Sequence, residues 1–322
     1  LTRETPNAFY VNQFANPANP RAHETGTGPE IWRQMEQSLD AVVVGVGSGG
    51  TLTGVGRFMK QTAPHVEMVL ADPKGSVLAP LVETGKVIEP GSWLVEGIGE
   101  DFVPPNCDLS LVKHAYVVED RESLEAAREL LRLEGILAGS SSGTLLAAAL
   151  RHCRAQTRPK RVVSFVCDSG NKYLSKMFND FWMLDQGLLD RPQRGDLGDL
   201  VPRRHEERAT VTISPDDTLN IGYGRMKLYD ISQLPVLENG RIVGILDESD
   251  LLMVIAKDAE GFAKPVREAM TSKLETIDAG APMSDLLPIF ARDHVAIVMQ
   301  GPTLVGLITR IDLLNHLRRS IR

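Results

Sequence analysis

Cysteine is nearly missing from this chain: Cys107, Cys153 and Cys167 are the only three in 322 residues, and no two form a CxxC pair. An odd count without paired spacing argues against a disulfide framework and leaves buried thiols as the expectation; no metal site is expected. No apolar run reaches the roughly 18 residues needed to span a bilayer. Basic charge is not in surplus: 35 Lys and Arg stand against 42 Asp and Glu, a formal net charge of -7, which argues against nucleic acid as the main partner. The opening residues, Leu1-Thr2-Arg3-Glu4-Thr5-Pro6, form neither a signal peptide nor a natural initiator. These absences point to a cytosolic protein with no membrane partner, in a chain that reads as starting partway into something longer.

What is present supports a sizeable core, with 43% apolar residues, and the length suggests two domains. One stretch, Asp40 to Gln61, organises the chain. Ala41 to Val44 is β-branched and apolar, as a buried parallel strand should be. A glycine-rich turn, Gly45 to Gly50, follows, and Thr51 opens a segment with helical apolar spacing at Leu52, Val55 and Met59. Strand, glycine turn and helix start make an anion cradle: backbone N–H groups point outward and the helix dipole favours negative charge. Two readings compete. Gly45-x-Gly47-x-x-Gly50 is literally GxGxxG, with Asp72 at about the place of a ribose-binding acid. The reading favoured by the rest of the chain is a monophosphate cradle built from Gly47, Ser48, Gly49, Gly50 and Thr51, whose hydroxyls donate to phosphate oxygens.

Residues 1 to 27 read as a short strand and then a loop carrying Gln13, Asn16 and His23, whose plainest role is to satisfy loop backbone groups. Thr25 or Thr27 is expected to cap a helix from about Pro29 to Leu39. Val66 to Ala71 reads as a second parallel strand. In Glu96-Gly97-Ile98-Gly99 the two glycines suggest either close backbone approach or a surface turn. Tyr116 to Val118 is a strand. Asp120 should cap a helix over Glu122 to Glu134, with Leu124, Ala127, Leu130, Leu131 and Leu133 as its buried stripe. A short strand, the turn Gly139 to Gly143 and a helix over Leu145 to Cys153 follow, then a strand over Arg161 to Cys167 ending in the Asp168 loop. This alternation predicts a parallel α/β sheet with ligands at the carboxyl ends of its strands.

The segment 186 to 204, rich in Asp, Arg, Gly and Pro, reads as a linker between a first domain (1 to 185) and a repeat with copies over 205 to 260 and 261 to 322. Each copy reads helix, strand, turn, strand with Val-Gly-Ile/Leu, then Asp-Leu-Leu opening a helix; Asn239-Gly240 is a hairpin signal.

These repeats resemble the paired CBS module, also called a Bateman module, over about residues 203 to 322. The resemblance implies stacked units whose clefts take S-adenosylmethionine or an adenine nucleotide. It implies that Thr309 and Asp312 hold the ligand, with Asp250 the equivalent in the first copy; there Asp247 replaces the hydroxyl residue and disfavours phosphate. A purely subunit-joining role is the alternative.

The stretches 12 to 20, 47 to 51, 72 to 76, 96 to 99, 139 to 144 and the Asp168 loop resemble fold type II pyridoxal-phosphate enzymes. The implied fold class is α/β, an incomplete fold type II parallel-sheet domain followed by a tandem CBS module. The resemblance implies that 47 to 51 hold the phosphate of pyridoxal 5'-phosphate, that Ser141 bonds the pyridine nitrogen, and that Gln13 and Gly97 face the substrate. Glu-Gly-Ile-Gly together with the module favours a β-replacement of the hydro-lyase type, joining L-serine to L-homocysteine to give cystathionine in transsulfuration. A cysteine-synthase-type reaction on O-acetylserine and a non-catalytic ligand-sensing scaffold are the alternatives. The Schiff-base lysine of this family lies before the matched stretches, and Lys60, Lys74, Lys86 and Lys172 do not sit in its context. The chain as given is therefore expected to be inactive alone, with amino acids as substrates and a homodimer or homotetramer as the assembly.

Overall fold

The computed structural model describes residues 2–258 and 260–320. The chain divides into two compact units, Leu1–Asn179 and Asp180–Arg322.

The first unit is built on a four-stranded parallel sheet, order β3-β2-β1-β4, from β1 (Ala41–Val44), β2 (Glu67–Pro73), β3 (Val112–Val118) and β4 (Val162–Val163). Alternation along β1 assigns its two faces. Val42 and Val44 join Leu52, Val55 and Met59 in one core, while Ala41 and Val43 join Leu145, Ala148 and Ala126 in the other. Both faces are covered, which is why β1 is a continuous apolar run. On one face lie α1 (Ala18–Ala22), α2 (Gly28–Gln34), α3 (Gly50–Thr62) and α4 (Leu78–Thr84); on the other lie α5 (Asp120–Glu134) and α6 (Ser140–Arg154). Gly143 lets α6 approach α5, because a Cβ there would strike the Ser123 carbonyl, and Thr144 Oγ1 donates to Ser123 Oγ at 2.9 Å.

Several local expectations are corrected. Among the described residues no strand forms before residue 17; residues 13–15 make a turn instead. Helical backbone runs from Ala18 through a π-turn (His23–Thr27) into α2, which stops at Gln34, and Thr27 makes no side-chain cap. The N-cap of α5 is Glu119; the Asp120 carboxylate instead accepts from Leu94 N at 2.9 Å, holding the loop that leads to Glu96. Its buried stripe is Ser123, Leu124, Ala126 and Ala127, whereas Leu131 and Leu133 are exposed. Only two residues of the expected strand Arg161 to Cys167 pair with β1, and before α6 only Ala138 makes a bridge, to Ser169. All three cysteines are free, and Cys153 and Cys167 are exposed rather than buried.

The second unit opens with α7 (Asp180–Asp185). It holds two copies of one plan: α8 (Leu219–Tyr229), β5 (Gln233–Glu238), β6 (Arg241–Asp247) and α9 (Glu248–Ile255), then β7 (Thr276–Asp278), α10 (Leu286–Ala291), β8 (Ala296–Gln300), β9 (Thr303–Ile308) and α11 (Arg310–Ser320). The hairpin turn Asn239-Gly240 has both φ values positive (49° and 79°), as a two-residue type I′ turn requires. The hairpins share an irregularity at the same place, between Val236 and Leu237 and between Val298 and Met299. Each copy is completed by the chain that precedes the other. Leu197, Leu200 and Val201, from the stretch read as a linker, are buried in the second copy's core, and Val266 is buried in the first's. The equivalent glycines make room for them: Val201 packs on Gly306 and Met270 on Gly244. Among the described residues no helix is long and apolar enough to cross a membrane.

Candidate active site

The turn between β1 and α3 presents a row of donors. The backbone N–H groups of residues 47 to 51 donate to no acceptor among the described residues, and α3 has no side-chain cap. Gly49 has φ +83° and lies against the Cys107 backbone, and a Cβ on Gly50 would occupy the space of Asn19 Oδ1. Larger residues are excluded at Gly49 by contact and by conformation, and at Gly50 by contact with the Asn19 side chain. Ser48 Oγ accepts from Asn19 Nδ2 at 2.9 Å, which leaves its own O–H to be given outward. Thr51 Oγ1 lies 3.3 Å from His23 Nε2, and His23 Nδ1 lies 2.9 Å from Thr27 Oγ1; burial holds the imidazole below its ordinary pKa and therefore neutral. Five unpaired N–H groups, two hydroxyls and a helix N-terminus suit a tetrahedral dianion.

The segment 12 to 19 is fastened over this cradle. Asn19 Nδ2 also donates to the Gln13 carbonyl at 2.8 Å, and Asn106 Nδ2 donates to the carbonyls of Gln13 (2.9 Å) and Asn16 (3.1 Å). Asn106 is in turn tied to α3 through Thr53 Oγ1, 2.7 Å from its carbonyl. Gln13 thereby has its backbone taken and its side chain exposed at the cavity.

A cavity of about 790 Å³ opens over the cradle, and Gln13, Gly47, Ser48, Gly49, Gly50, Thr51, Gly97 and Ser141 all line it. Every site residue read from the sequence of the first unit is thus brought to one place. Ser141 sits in the first turn of α6, almost fully buried, beside the Cys167 thiol. Across from it Asp168 accepts from Tyr173 Oη at 2.9 Å, while its Oδ1 is buried without a partner among the described residues. No lysine is among the lining residues; Lys176 is held by Glu96 at the rim.

Asp72 settles the dinucleotide reading. It is fully buried, and its Oδ2 accepts from Ala79 N at 2.8 Å at the start of α4, so it cannot reach a ribose. Burial pushes its carboxyl up to about 6. A compact phosphate cradle, a neutral hydroxyl at the far wall and no ribose acid fit pyridoxal 5'-phosphate and do not fit a dinucleotide. Asn19, Asn106 and Glu100, which also lines the cavity, were not singled out from the sequence, because their partners lie far along the chain.

In the second unit, Asp312 Oδ2 accepts from Thr309 N at 2.7 Å and Thr309 Oγ1 at 2.6 Å. Asp250 and Asp247 cap α9 reciprocally (3.0 and 2.8 Å), and burial raises the Asp250 pKa. Thr309 and Asp312 therefore already serve the start of α11. Asp312 also lines a cavity of about 930 Å³ together with Arg191, Asp199, Arg204 and His316.

The architecture is that of a phosphate-cradling parallel α/β enzyme unit joined to a tandem repeat. The chain belongs to the pyridoxal-phosphate dependent enzymes: that family's profile matches residues 1–168, and the CBS domain profile matches 205–257 and 266–319. Over 341 residues the chain is 33% identical to the cystathionine beta-synthase of Dictyostelium discoideum, covering 99% of this chain and 66% of that protein. Over 330 residues it is 42% identical to the cystathionine beta-synthase of Apis mellifera, covering 99% and 65%. Over 178 residues it is 38% identical to the cysteine synthase of Buchnera aphidicola, covering 54% and 56%. The chain spans about two thirds of the length of the first two relatives.

Proposed function

We propose that this chain carries the cofactor and substrate walls of a β-replacement site that joins L-serine to L-homocysteine, giving cystathionine, and a CBS pair that senses S-adenosylmethionine or an adenine nucleotide. The observation that carries the reading is the convergence of the unpaired N–H groups of residues 47 to 51 with Ser141 in one cavity. The cofactor, when bound, supplies the electron sink that lets bonds at the substrate's α- and β-carbons break. Residues 47 to 51 grip its phosphate, with Ser48 and Thr51 donating. Ser141 meets the ring nitrogen with a neutral hydroxyl, which gives little support to ring protonation and so favours elimination over transamination. Gln13 and the backbone at Gly97 orient the substrate carboxylate. Closure of residues 12 to 19 on the cradle, through Asn19 and Asn106, keeps water from the cofactor phosphate.

A homodimer or homotetramer working in the cytoplasm completes the proposal, with Thr309, Asp312 and Asp250 on the regulatory side. With no lysine on the cavity wall among the described residues, the 322-residue chain alone is proposed to be inactive. A cysteine-synthase-type reaction on O-acetylserine is the second reading, supported by the 38% identity over 178 residues to a cysteine synthase. The test is product formation from serine and homocysteine, set against O-acetylserine and sulfide, by the protein expressed from its complete reading frame and by this chain. Cystathionine from the former alone is expected. Preference for O-acetylserine would favour the second reading, and turnover by the isolated chain would contradict the inactivity.

A further inference from the structure

Glu100 lines the cavity on the segment that follows Gly99. Its backbone is clamped on both sides. Glu100 N donates to Ser76 Oγ at 3.0 Å, and its carbonyl accepts from Ser76 Oγ at 3.2 Å and from Val77 N at 3.0 Å. Just before it, Gly99 has φ +86° and donates to Val46 O at 2.9 Å, on the loop that begins the cradle. The side chain is thus aimed by a fixed turn, yet its carboxyl makes no hydrogen bond or ion pair among the described residues. A fixed, half-buried, unpartnered carboxyl on the wall of a substrate cavity is not explained by stability.

We propose that Glu100 is a catalytic acid of this site, giving the proton that lets a hydroxyl leave the β-carbon of the first substrate. The proposal rests on the β-replacement reading and narrows its substrate class to β-hydroxy amino acids. In the first half-reaction the Cα–H electron pair becomes the Cα=Cβ bond, and the α-proton goes to a lysine amine of the loaded site. The Cβ–O bond breaks with its electrons on oxygen, the Glu100 proton joins that oxygen, and water departs. In the second half the thiol enters as thiolate, its proton already given to solvent, and forms the Cβ–S bond; the amine returns the α-proton, and the Glu100 carboxylate takes up a proton from solvent. The acid ends as it began. Hydroxide leaves poorly without a proton, whereas acetate or chloride leaves without one, so an acid at this place favours serine over O-acetylserine.

The surroundings suit a proton donor. Burial first, and then the Asp101 and Asp72 carboxylates, push Glu100 up to about 7. The other groups facing this part of the cavity do not oppose that. The Cys107 thiol is pushed up to about 12 and stays neutral, and His23 is held neutral. Asp168 is engaged by Tyr173 and Lys172, and Glu96 by Lys176. An acid with a pKa near the working pH is proton-loaded and still willing to donate.

The experiment uses the protein from its complete reading frame, with homocysteine as the thiol and either L-serine or β-chloro-L-alanine as first substrate. Glu100→Gln should lower the serine rate by roughly 100-fold or more, the usual range for loss of a general acid, and leave the chloroalanine rate nearly unchanged. Glu100→Asp should restore part of the serine rate. The wild-type serine rate should fall as pH rises through about 7, and the Gln variant should lose that limb. As a readout independent of turnover, carbon-13 NMR of labelled glutamate carboxyls should show one resonance titrating near 7 that is missing in Glu100→Gln. Equal losses with both substrates, or an unchanged serine rate, would overturn the proposal. So would titration of that resonance in the ordinary glutamate range, with the β-replacement reading left intact. Turnover of neither substrate by the wild type would sink that reading, and this proposal with it.

Discussion

Asn19 donates to the Ser48 hydroxyl at 2.9 Å across 29 residues of sequence, and through the same amide nitrogen to the Gln13 carbonyl at 2.8 Å. One side chain therefore sets the direction of a phosphate-cradle donor and fastens the loop above it. Asn19→Ala removes two neutral hydrogen bonds of about 1 kcal/mol each; loss of the one to the Ser48 hydroxyl alone corresponds to a roughly fivefold weaker hold on pyridoxal 5'-phosphate. Asn19→Asp should cost more, because a carboxylate there takes the Ser48 proton and adds negative charge beside the phosphate. Equilibrium dialysis of the cofactor against both variants checks the order; an Asp variant that binds as well as wild type would refute it.

Asp72 makes stability depend on pH. Its folded pKa, about 6, lies above the ordinary carboxylate value of 3.8, so the native state holds this proton more tightly than the unfolded chain. The stabilisation is complete below the unfolded value and is lost as pH rises through about 6. Asp72→Asn cannot ionise. Its unfolding free energy relative to wild type should therefore improve between pH 4 and pH 7.5 by up to about 3 kcal/mol, two pKa units at 1.36 each. A constant cost of placing an amide where Oδ1 now lies unpartnered shifts both ends alike and leaves the difference intact. Urea unfolding at the two pH values measures it, and a difference that stays flat would show that Asp72 ionises normally.

Asp312 caps a helix whether or not a ligand comes to it, since it accepts from both donors of Thr309. Asp312→Ala should lower the stability of this protein by about 1 kcal/mol with no ligand present. A loss of S-adenosylmethionine response in that variant has to be read against this cost. Thermal unfolding with and without S-adenosylmethionine, in wild type, Asp312→Ala and Asp312→Asn, separates the two effects. An Ala variant as stable as wild type would remove the cap.

What could be read from the sequence was local. The cradle was legible because its strand, glycines and helix start are contiguous from Ala41 to Met59. The repeats were legible because each carries its own hairpin and its own Asp-led helix start. What escaped depends on distant partners. Asn106 bonds carbonyls 93 and 90 residues away, Asn19 a hydroxyl 29 away, and Glu100 is aimed by Ser76. The stretch 186 to 204 looked like a linker because its few apolar residues, Leu197, Leu200 and Val201, fit only a core supplied by residues 277 to 313. Leu131 and Leu133 share the helical spacing of Leu124 and Ala127, yet both are exposed, because spacing alone does not say how far along a helix its neighbour extends.

The most direct test of the account is the cofactor content of the protein from its complete reading frame, purified and dialysed, in wild type and Ser48→Asp. The cradle predicts one pyridoxal 5'-phosphate per chain in the wild type. It predicts almost none in the variant, where a carboxylate meets the phosphate among the five N–H groups. Equal cofactor in both proteins, or a bound nicotinamide dinucleotide in place of it, would contradict the claim.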